Sequence, residues 1–233
     1  IAKIVLNKPD TGNTLDLQLA KELYEVSLDA ASDDNIKALI LTANGKLFCG
    51  GGNLKFLLSK KEVVKKTLLK MTMYLHGAIS RMARMSAPII VGVNGTAGGG
   101  GFSLAITGDI IYAVKDAKFT LAYTNAGLSP DGSSTYYLPR IVGMKRAKEL
   151  MLTNRLFSAE EAFDMGLIDL VVNTNEELAE ALNKQAEVFS KGPINAYKSV
   201  KKLLSESFNN GLETQMEKES IHISNNADSK HGI

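Results

Sequence analysis

A run of four glycines follows an apolar stretch near the middle of the chain, in PIIVGVNGTAGGGGFS, residues 88–103. Glycines carry no Cβ atom, so their main-chain N–H groups can come within hydrogen-bonding distance of a ligand. The apolar residues from Phe102 to Ile106 can begin a helix, and strand, glycine turn and helix together favour a site for negative charge. The known phosphate-binding glycine patterns do not fit, because no Lys-Ser/Thr pair follows and the glycines are contiguous. A strand-to-helix connection that serves only close packing is the alternative.

A second glycine cluster lies in LFCGGGNLK, residues 47–55, shortly after a predicted buried strand at 37–42. Again a strand leads into a glycine-rich loop. Two such loops can each direct one N–H group at a single oxygen. An enolate or a tetrahedral oxyanion requires this arrangement, and each donor contributes about 3–4 kcal/mol.

With AKFTLAYTNAGLSPDGSSTYYLPRIVG (117–143) and LTNRLFSAEEAFDMGLID (152–169), these segments resemble the crotonase (enoyl-CoA hydratase/isomerase) superfamily over essentially the whole chain. The resemblance implies an oxyanion hole for an acyl-CoA thioester carbonyl, with the backbone N–H groups of Gly52 and Gly100 as donors. It also implies a spiral of repeated ββα units and a helical C-terminal region that forms trimers.

Strand and helix patterns alternate along the chain and predict the α/β class. Strands are predicted at 1–6, 37–42, 89–93 and 109–113. A Ser59–Glu62 capping box predicts the start of a long amphipathic helix, whose methionine-rich stripe is interpreted as core. Helices are predicted at 144–153, at 158–165 behind a Ser158–Glu161 capping box, at 174–191, and from 193 onward.

We therefore expect a spiral ββα acyl-CoA-binding core at 1–155 and a helical C-terminal region at 156–233. Members of the family end in a further helix that helps to hold the CoA adenine of a neighbouring subunit. The sequence stops at Lys230-His231-Gly232-Ile233, where that helix is expected to begin, so the final helix is expected to be missing.

The two glutamates that hydratases of this family use as acid and base fall on Ser103 and Tyr123. Serine and tyrosine at their ordinary pKa values activate water poorly. The sequence therefore argues against ordinary hydratase activity.

One carboxylate remains in the motif region, at Asp131 in GLSPDGSS, residues 127–134. From the residues alone, Asp131 is interpreted as the cap of a helix at 133–138, because aspartate is common at helix starts. The resemblance favours a catalytic role, because several family members that lack both glutamates carry an aspartate at this turn and use it on the acyl chain.

The function expected from this resemblance is an enoyl-CoA isomerase with Asp131 as general acid/base. An aryl-CoA dehalogenase or a thioesterase with Asp131 as nucleophile or base is the alternative. The tryptophan and histidine of the dehalogenase fall on Tyr123 and Ser80, with His76 one helical turn away. A family member that binds acyl-CoA or RNA without catalysis is a further alternative.

Residues expected to contact the substrate lie in the same motifs. They are Gly50, Gly51, Asn53, Leu54, Lys55, Gly99, Ser103, Tyr123, Leu128 and Pro130.

The composition excludes few function classes but sets limits on partners. The chain has 233 residues, 45% of them hydrophobic, and a net charge of +2, which argues against a nucleic-acid partner. The sequence contains no apolar run of about 18 residues, the length that a membrane-spanning helix requires. The single cysteine, Cys49, is interpreted as structural, and His76, His222 and His231 show no metal-ligand spacing.

The expected substrate is an acyl-CoA thioester. No cofactor is expected, since coenzyme A would be part of the substrate. We expect a homotrimer or a dimer of trimers in the cytoplasm, or in the mitochondrial or peroxisomal matrix of a eukaryote.

Overall fold

A computed structural model describes residues 1–229 and Gly232. The strands are β1 (Ala2–Leu6), β2 (Leu39–Ala43), β3 (Leu47–Cys49), β4 (Ile89–Val93), β5 (Thr96–Gly98), β6 (Ile110–Val114), β7 (Lys118–Thr120), β8 (Phe157–Ser158) and β9 (Leu170–Val172). The helices are α1 (Leu17–Ser32), α2 (Leu54–Ser59), α3 (Val64–Arg84), α4 (Gly100–Ala105), α5 (Ser134–Val142), α6 (Met144–Thr153), α7 (Ala159–Asp164), α8 (Asn175–Lys191), α9 (Ile194–Ser207) and α10 (Leu212–Ala227).

Two sheets form the frame of the fold. The larger sheet is parallel, in the order β1-β2-β4-β6-β9, and its strands β2 and β4 are buried along their whole length. The smaller sheet has the order β3-β5-β7-β8, with β3, β5 and β7 parallel and β8 antiparallel. Successive pairs β2–β3, β4–β5 and β6–β7 each place one strand in the larger sheet and the next in the smaller. This is the repeated ββ spiral that the resemblance implies.

Helices cover both sheets. α1 begins at Asp16, whose carboxylate accepts from the Leu19 amide, and it packs along α3, where Gly77 admits the Tyr24 ring. α8 lies on the larger sheet, and the Leu182 side chain occupies the space that a Cβ at Gly92 would need. An aromatic cluster of Phe102, Phe119 and Phe157 joins α4 to the smaller sheet, with ring centroids 5.6–6.3 Å apart.

The predicted strands and the helix at 144–153 agree with the structure within two residues at each end. The prediction that a Ser59–Glu62 capping box begins the long helix was wrong. Ser59 ends α2 and bonds back to the Phe56 carbonyl, a 3₁₀ turn follows, and α3 begins at Val64 without a side-chain cap. The second box is half present, since Ser158 accepts from the Glu161 amide while the Glu161 carboxylate binds Arg155.

The helical region after residue 155 also contains strands β8 and β9. β8 pairs with β7, and β9 pairs with β6, so both complete sheets that begin earlier in the chain. The division at residue 155 stays a prediction. The expectation about a missing final helix rests on residues 230–233, and Lys230, His231 and Ile233 lie outside the described residues.

Candidate active site

Three neighbouring strands of the smaller sheet lead into one site. β3, β5 and β7 are parallel, with Cys49 paired to Ala97 and Gly98 paired to Thr120. Because the carboxyl ends of parallel strands meet at one edge of a sheet, the segments that follow these strands converge there. They are the two glycine loops and the segment that carries Asp131.

The first glycine loop presents the N–H group of Gly52. The Gly51 carbonyl accepts from the Leu15 amide at 2.7 Å, and the Asn53 amide donates to the Leu15 carbonyl at 2.7 Å. In a trans peptide the C=O and the following N–H point in opposite directions. The Gly52 N–H therefore points away from Leu15.

The second loop presents the N–H group of Gly100 in the same way. The Gly99 carbonyl accepts from the Ser103 amide at 3.0 Å, which turns the Gly100 N–H away from α4. Gly99 has φ +50°, and Gly51 has φ +90°. A Cβ at Gly51 would lie 2.7 Å from the Gly98 carbonyl oxygen, so the two loops touch where only glycine fits.

Neither the Gly52 nor the Gly100 amide donates to an acceptor within the described part of the chain. Gly100 is buried, and buried amides are normally paired, so its N–H group marks a place for an external acceptor. Gly52 is exposed, and its N–H group lies in the adjacent loop, where it can bind the same acceptor. A carbonyl oxygen that becomes negative during a reaction is such an acceptor.

A cavity of about 270 Å³ opens beside these loops. Most of its wall is apolar, as an acyl chain requires, and Asp131 is its one carboxylate. The lining residues outside the glycine loops are Leu15, Ala20, Leu54, Leu57, Leu68, Met71, Thr72, Leu75, Ala122, Tyr123, Ala126, Leu128, Ser129 and Asp131. Met71 and Leu75 show that the methionine-rich stripe of α3 serves both as core and as cavity wall.

The Asp131 side chain does not cap α5, so the interpretation as a helix cap was wrong. Its backbone carbonyl accepts from the Ser134 amide and hydroxyl, whereas its carboxylate accepts no helix N–H. α5 begins at Ser134, after Ser133 in the left-handed region, and has no side-chain cap. The carboxylate is therefore available to the cavity.

Tyr123 holds one oxygen of that carboxylate. Its hydroxyl donates to Asp131 Oδ1 at 2.6 Å and lies 2.8 Å from the Ser103 hydroxyl. Burial, together with the nearby Asp131 charge, raises the pKa of Tyr123 above its ordinary value. Tyr123 therefore stays protonated and serves as a donor.

The sequence interpretation did not assign His76 to this site. Its Nε2 atom lies 3.3 Å from Asp131 Oδ2 and accepts from the Gly132 amide at 3.1 Å. His76 lies 55 positions before Asp131 and shares no motif with it. In the sequence, only the position of His76 on α3 links it with the site. It follows Leu75, which lines the cavity, and precedes Ser80 by one helical turn.

The other expected contact residues divide between the cavity and its support. Gly50, Gly51, Leu54, Gly99, Tyr123 and Leu128 line the cavity.

Four others do not line it, for local reasons. Asn53 caps α2 by accepting from the Phe56 amide, and Lys55 is exposed on α2. Ser103 is fully buried behind Tyr123 and donates to the Asp131 carbonyl at 2.9 Å. Pro130 lies in the turn beside Asp131 without reaching the cavity wall.

The Cys49 thiol at the start of the first loop is fully buried, and burial raises its pKa to about 12. Such a thiol is a poor nucleophile at neutral pH.

Among residues 1–229 and Gly232, no three His, Cys, Asp or Glu side chains cluster as a metal site. His231, one of the three histidines without metal-ligand spacing in the sequence, lies outside these residues. Within the same range, no helix has the length and apolarity to cross a bilayer.

The family model for enoyl-CoA hydratase/isomerase matches residues 1–233. The chain belongs to this family. The fold agrees, since the crystal structure of an enoyl-CoA hydratase from Polaromonas sp. JS666 superposes with a TM-score of 0.91 at 30% identity, covering 97% of this chain and 88% of the other.

Two relatives of the chain carry names that denote different chemistries. The 1,2-epoxyphenylacetyl-CoA isomerase of Escherichia coli is 32% identical, over 94% of this chain and 84% of the relative. The 4-chlorobenzoyl coenzyme A dehalogenase-2 of Arthrobacter sp. is 30% identical, over 94% of this chain and 79% of the relative. At this identity, the family follows from the comparison, and the individual reaction has to be argued from the site.

Proposed function

We propose that the protein is an isomerase of enoyl-CoA thioesters in which Asp131 is the general acid/base. The observation that carries the proposal is one cavity bounded by the N–H groups of Gly52 and Gly100, which have no acceptor among the residues that the structure describes, and by one carboxylate, that of Asp131. An isomerase needs this set and no more, because one base can remove a proton from one carbon and return it to another.

In the proposed reaction the thioester oxygen accepts from the Gly52 and Gly100 amides. Asp131 removes a proton from the carbon α or γ to the carbonyl, and the C–H electron pair moves toward the thioester oxygen. The two amides stabilise the resulting enolate. The Asp131 carboxylic acid then returns the proton to the other carbon, so the double bond moves and the composition of the substrate is unchanged.

Tyr123 determines which carboxylate oxygen works in this scheme. Its hydroxyl occupies Oδ1 at 2.6 Å, so Oδ2 is the oxygen left to take the proton. The raised pKa of Tyr123 keeps it a donor to Asp131 rather than a competing base. Ser103 supports the same turn from behind and is not available to activate water, which further argues against hydration.

The test is incubation of the protein with enoyl-CoA, aryl-CoA and haloaryl-CoA esters, with products analysed by mass spectrometry and NMR. We expect a product of unchanged mass with a shifted double bond. A gain of water would indicate hydration, and loss of halide would indicate dehalogenation. Binding without any product would favour an acyl-CoA-binding protein.

A hydrolytic function, resembling the dehalogenase or a thioesterase, is the second candidate. The contact of His76 with Asp131 favours it, because an imidazole beside a carboxylate can activate water. In that reaction Asp131 would form an ester with an aryl ring, or would itself activate water. Release of free acid or halide from the ester panel would support this candidate over the isomerase.

We further propose that the protein assembles as a homotrimer or a dimer of trimers. No residue of α10, which the structure describes in full, is buried, and Leu204, Phe208, Leu212 and Ile223 on or beside α9 and α10 are more than 60% exposed. Apolar surface of this kind favours burial against another subunit. Light scattering should report three or six subunits, and a monomer at micromolar concentration would contradict the proposal.

A further inference from the structure

A neighbouring backbone amide determines which nitrogen of the His76 ring carries the proton in its contact with Asp131. The Gly132 amide donates to His76 Nε2, and a backbone amide keeps its hydrogen at any ordinary pH. Nε2 must therefore present its lone pair, which places the proton of the neutral ring on Nδ1.

This tautomer makes the contact sensitive to the state of Asp131. While Asp131 is ionised, Oδ2 and Nε2 face each other at 3.3 Å with no hydrogen between them. When Oδ2 takes a proton, its O–H can donate to Nε2 and the contact becomes a hydrogen bond. His76 thus interacts favourably with the acid form of Asp131, the form that exists after Asp131 has removed a proton from a substrate.

We propose that His76 accepts this proton from Asp131 and carries it out of the acyl cavity. The inference rests on the proposed function, because it concerns the proton that Asp131 takes from the substrate. The Asp131 O–H bond breaks, an N–H bond forms at His76 Nε2, and the products are a carboxylate and an imidazolium. The new N–H uses the Nε2 lone pair, so the Gly132 amide loses its acceptor until the ring gives the proton up. His76 touches no substrate atom in this scheme and acts only through Asp131.

The position of the His76 ring provides the exit. Its side chain is 49% exposed and lines a second cavity of about 960 Å³, whereas Asp131, 27% exposed, lines the acyl cavity. The pair therefore bridges two cavities. A proton on the ring is in contact with the water of the larger cavity, while a proton confined to Asp131 returns to the substrate.

Charged side chains from several elements line the second cavity. Arg84 on α3, Arg140 on α5 and Lys201 on α9 line it together with Asp109 and Asp169. Lys201 pairs with Asp109 at 2.7 Å, and the Asp169 carboxylate accepts from the Ile111 amide, so neither carboxylate is directed at His76.

The experiment measures exchange of the transferred proton with solvent. A 3-enoyl-CoA is isomerised to the 2-enoyl-CoA in D₂O by the parent and by His76→Gln, His76→Ala and His222→Gln. Deuterium per product molecule and turnover are recorded together. The Gln side chain can accept from the Gly132 amide but cannot carry a proton, and His222 lies on α10, where it contacts Ser199.

We expect the parent product to contain solvent deuterium and His76→Gln to lower its content at least ~5-fold while turnover falls less than ~10-fold. His76→Ala should show the same low exchange with a larger loss of turnover, because the Gly132 amide loses its acceptor. His222→Gln should match the parent in both readouts.

Two failures are distinguishable. If the parent isomerises and His76→Gln incorporates as much deuterium as the parent, His76 only holds the turn and the proton-carrying role is overturned, whatever the rate. If the parent neither isomerises nor exchanges protons of any thioester, the proposed function is overturned and this inference fails with it.

Discussion

The two glycine loops and the segment between β7 and α5 reach the same cavity by different means. The first loop spans residues 50–53 and the second consists of Gly99. Both follow paired strands directly and present backbone N–H groups that the Leu15 and Ser103 hydrogen bonds orient. The β7–α5 segment spans residues 121–133 and presents one carboxylate, that of Asp131, which accepts from Tyr123 of the same segment and contacts His76, while Ser103 donates to the Asp131 carbonyl. The loops depend on strand register, whereas the position of Asp131 depends on Tyr123 and on side chains from two other parts of the fold, α3 and α4.

This difference between backbone and side-chain groups determines which substitutions test the chemistry without disturbing the fold. A backbone donor can be removed only by proline, because every other residue keeps its N–H. A side-chain group can be removed without touching the backbone.

Asp131→Asn should lower turnover by at least ~10²-fold, the usual contribution of a positioned general base. Asparagine can still accept from the Tyr123 hydroxyl, so thermal stability should be nearly unchanged. Turnover and melting temperature of the variant and of a control, Asp164→Asn on the exposed end of α7, test this. A variant as active as the parent would leave the binding protein as the better interpretation.

Gly52→Pro and Gly100→Pro should each cost on the order of 10²-fold in turnover, because each removes one oxyanion donor. Gly211→Pro is the matched control, since Gly211 has φ −71°, which suits proline, and precedes the distant helix α10. Circular dichroism should show folded protein before rates are compared. Full activity of a folded Gly52 or Gly100 variant would refute the oxyanion assignment.

Gly52→Ala and Gly100→Ala keep both donors and test the surroundings of the two loops. A Cβ at Gly52 meets nothing within 4 Å, whereas a Cβ at Gly100 would lie 2.9 Å from the Leu15 side chain. We expect Gly100→Ala to lower the free energy of unfolding by about 1–3 kcal/mol through overpacking. Gly52→Ala should change it by less than about 0.5 kcal/mol. Urea unfolding measures both, and equal effects would contradict the difference in packing.

Cys49 gives the smallest effect. Its pKa of about 12 keeps the thiol protonated at neutral and mildly alkaline pH, and its burial excludes reagents. The folded protein should therefore show almost no reaction with Ellman's reagent at pH 8, and one thiol should react after unfolding. Because the folded state favours the neutral thiol, the stabilisation that the neutral Cys49 provides is lost as pH rises above the ordinary cysteine pKa. Rapid labelling of the native protein would show that the first loop opens readily.

Much of the frame could be predicted from local sequence. Apolar runs predicted four strands of the larger sheet, because buried parallel strands are continuously apolar. The strands of the smaller sheet were missed, since segments of two or three residues carry little periodicity. Helix α1, capped by Asp16, was missed as well, although its buried positions 19, 20, 23, 27 and 30 follow a helical period.

The sequence by itself determined the family, the two glycine loops and the absence of both hydratase glutamates, because each is a property of residues close together in the chain. The folded chain excluded the helix cap for the Asp131 carboxylate, placed Ser103 behind Tyr123, and brought His76 to Asp131. The physical reason is that backbone donors follow from a local strand, turn and helix. The surroundings of a carboxylate are instead set by α3, α4 and the β7–α5 segment, which meet only when the chain is folded.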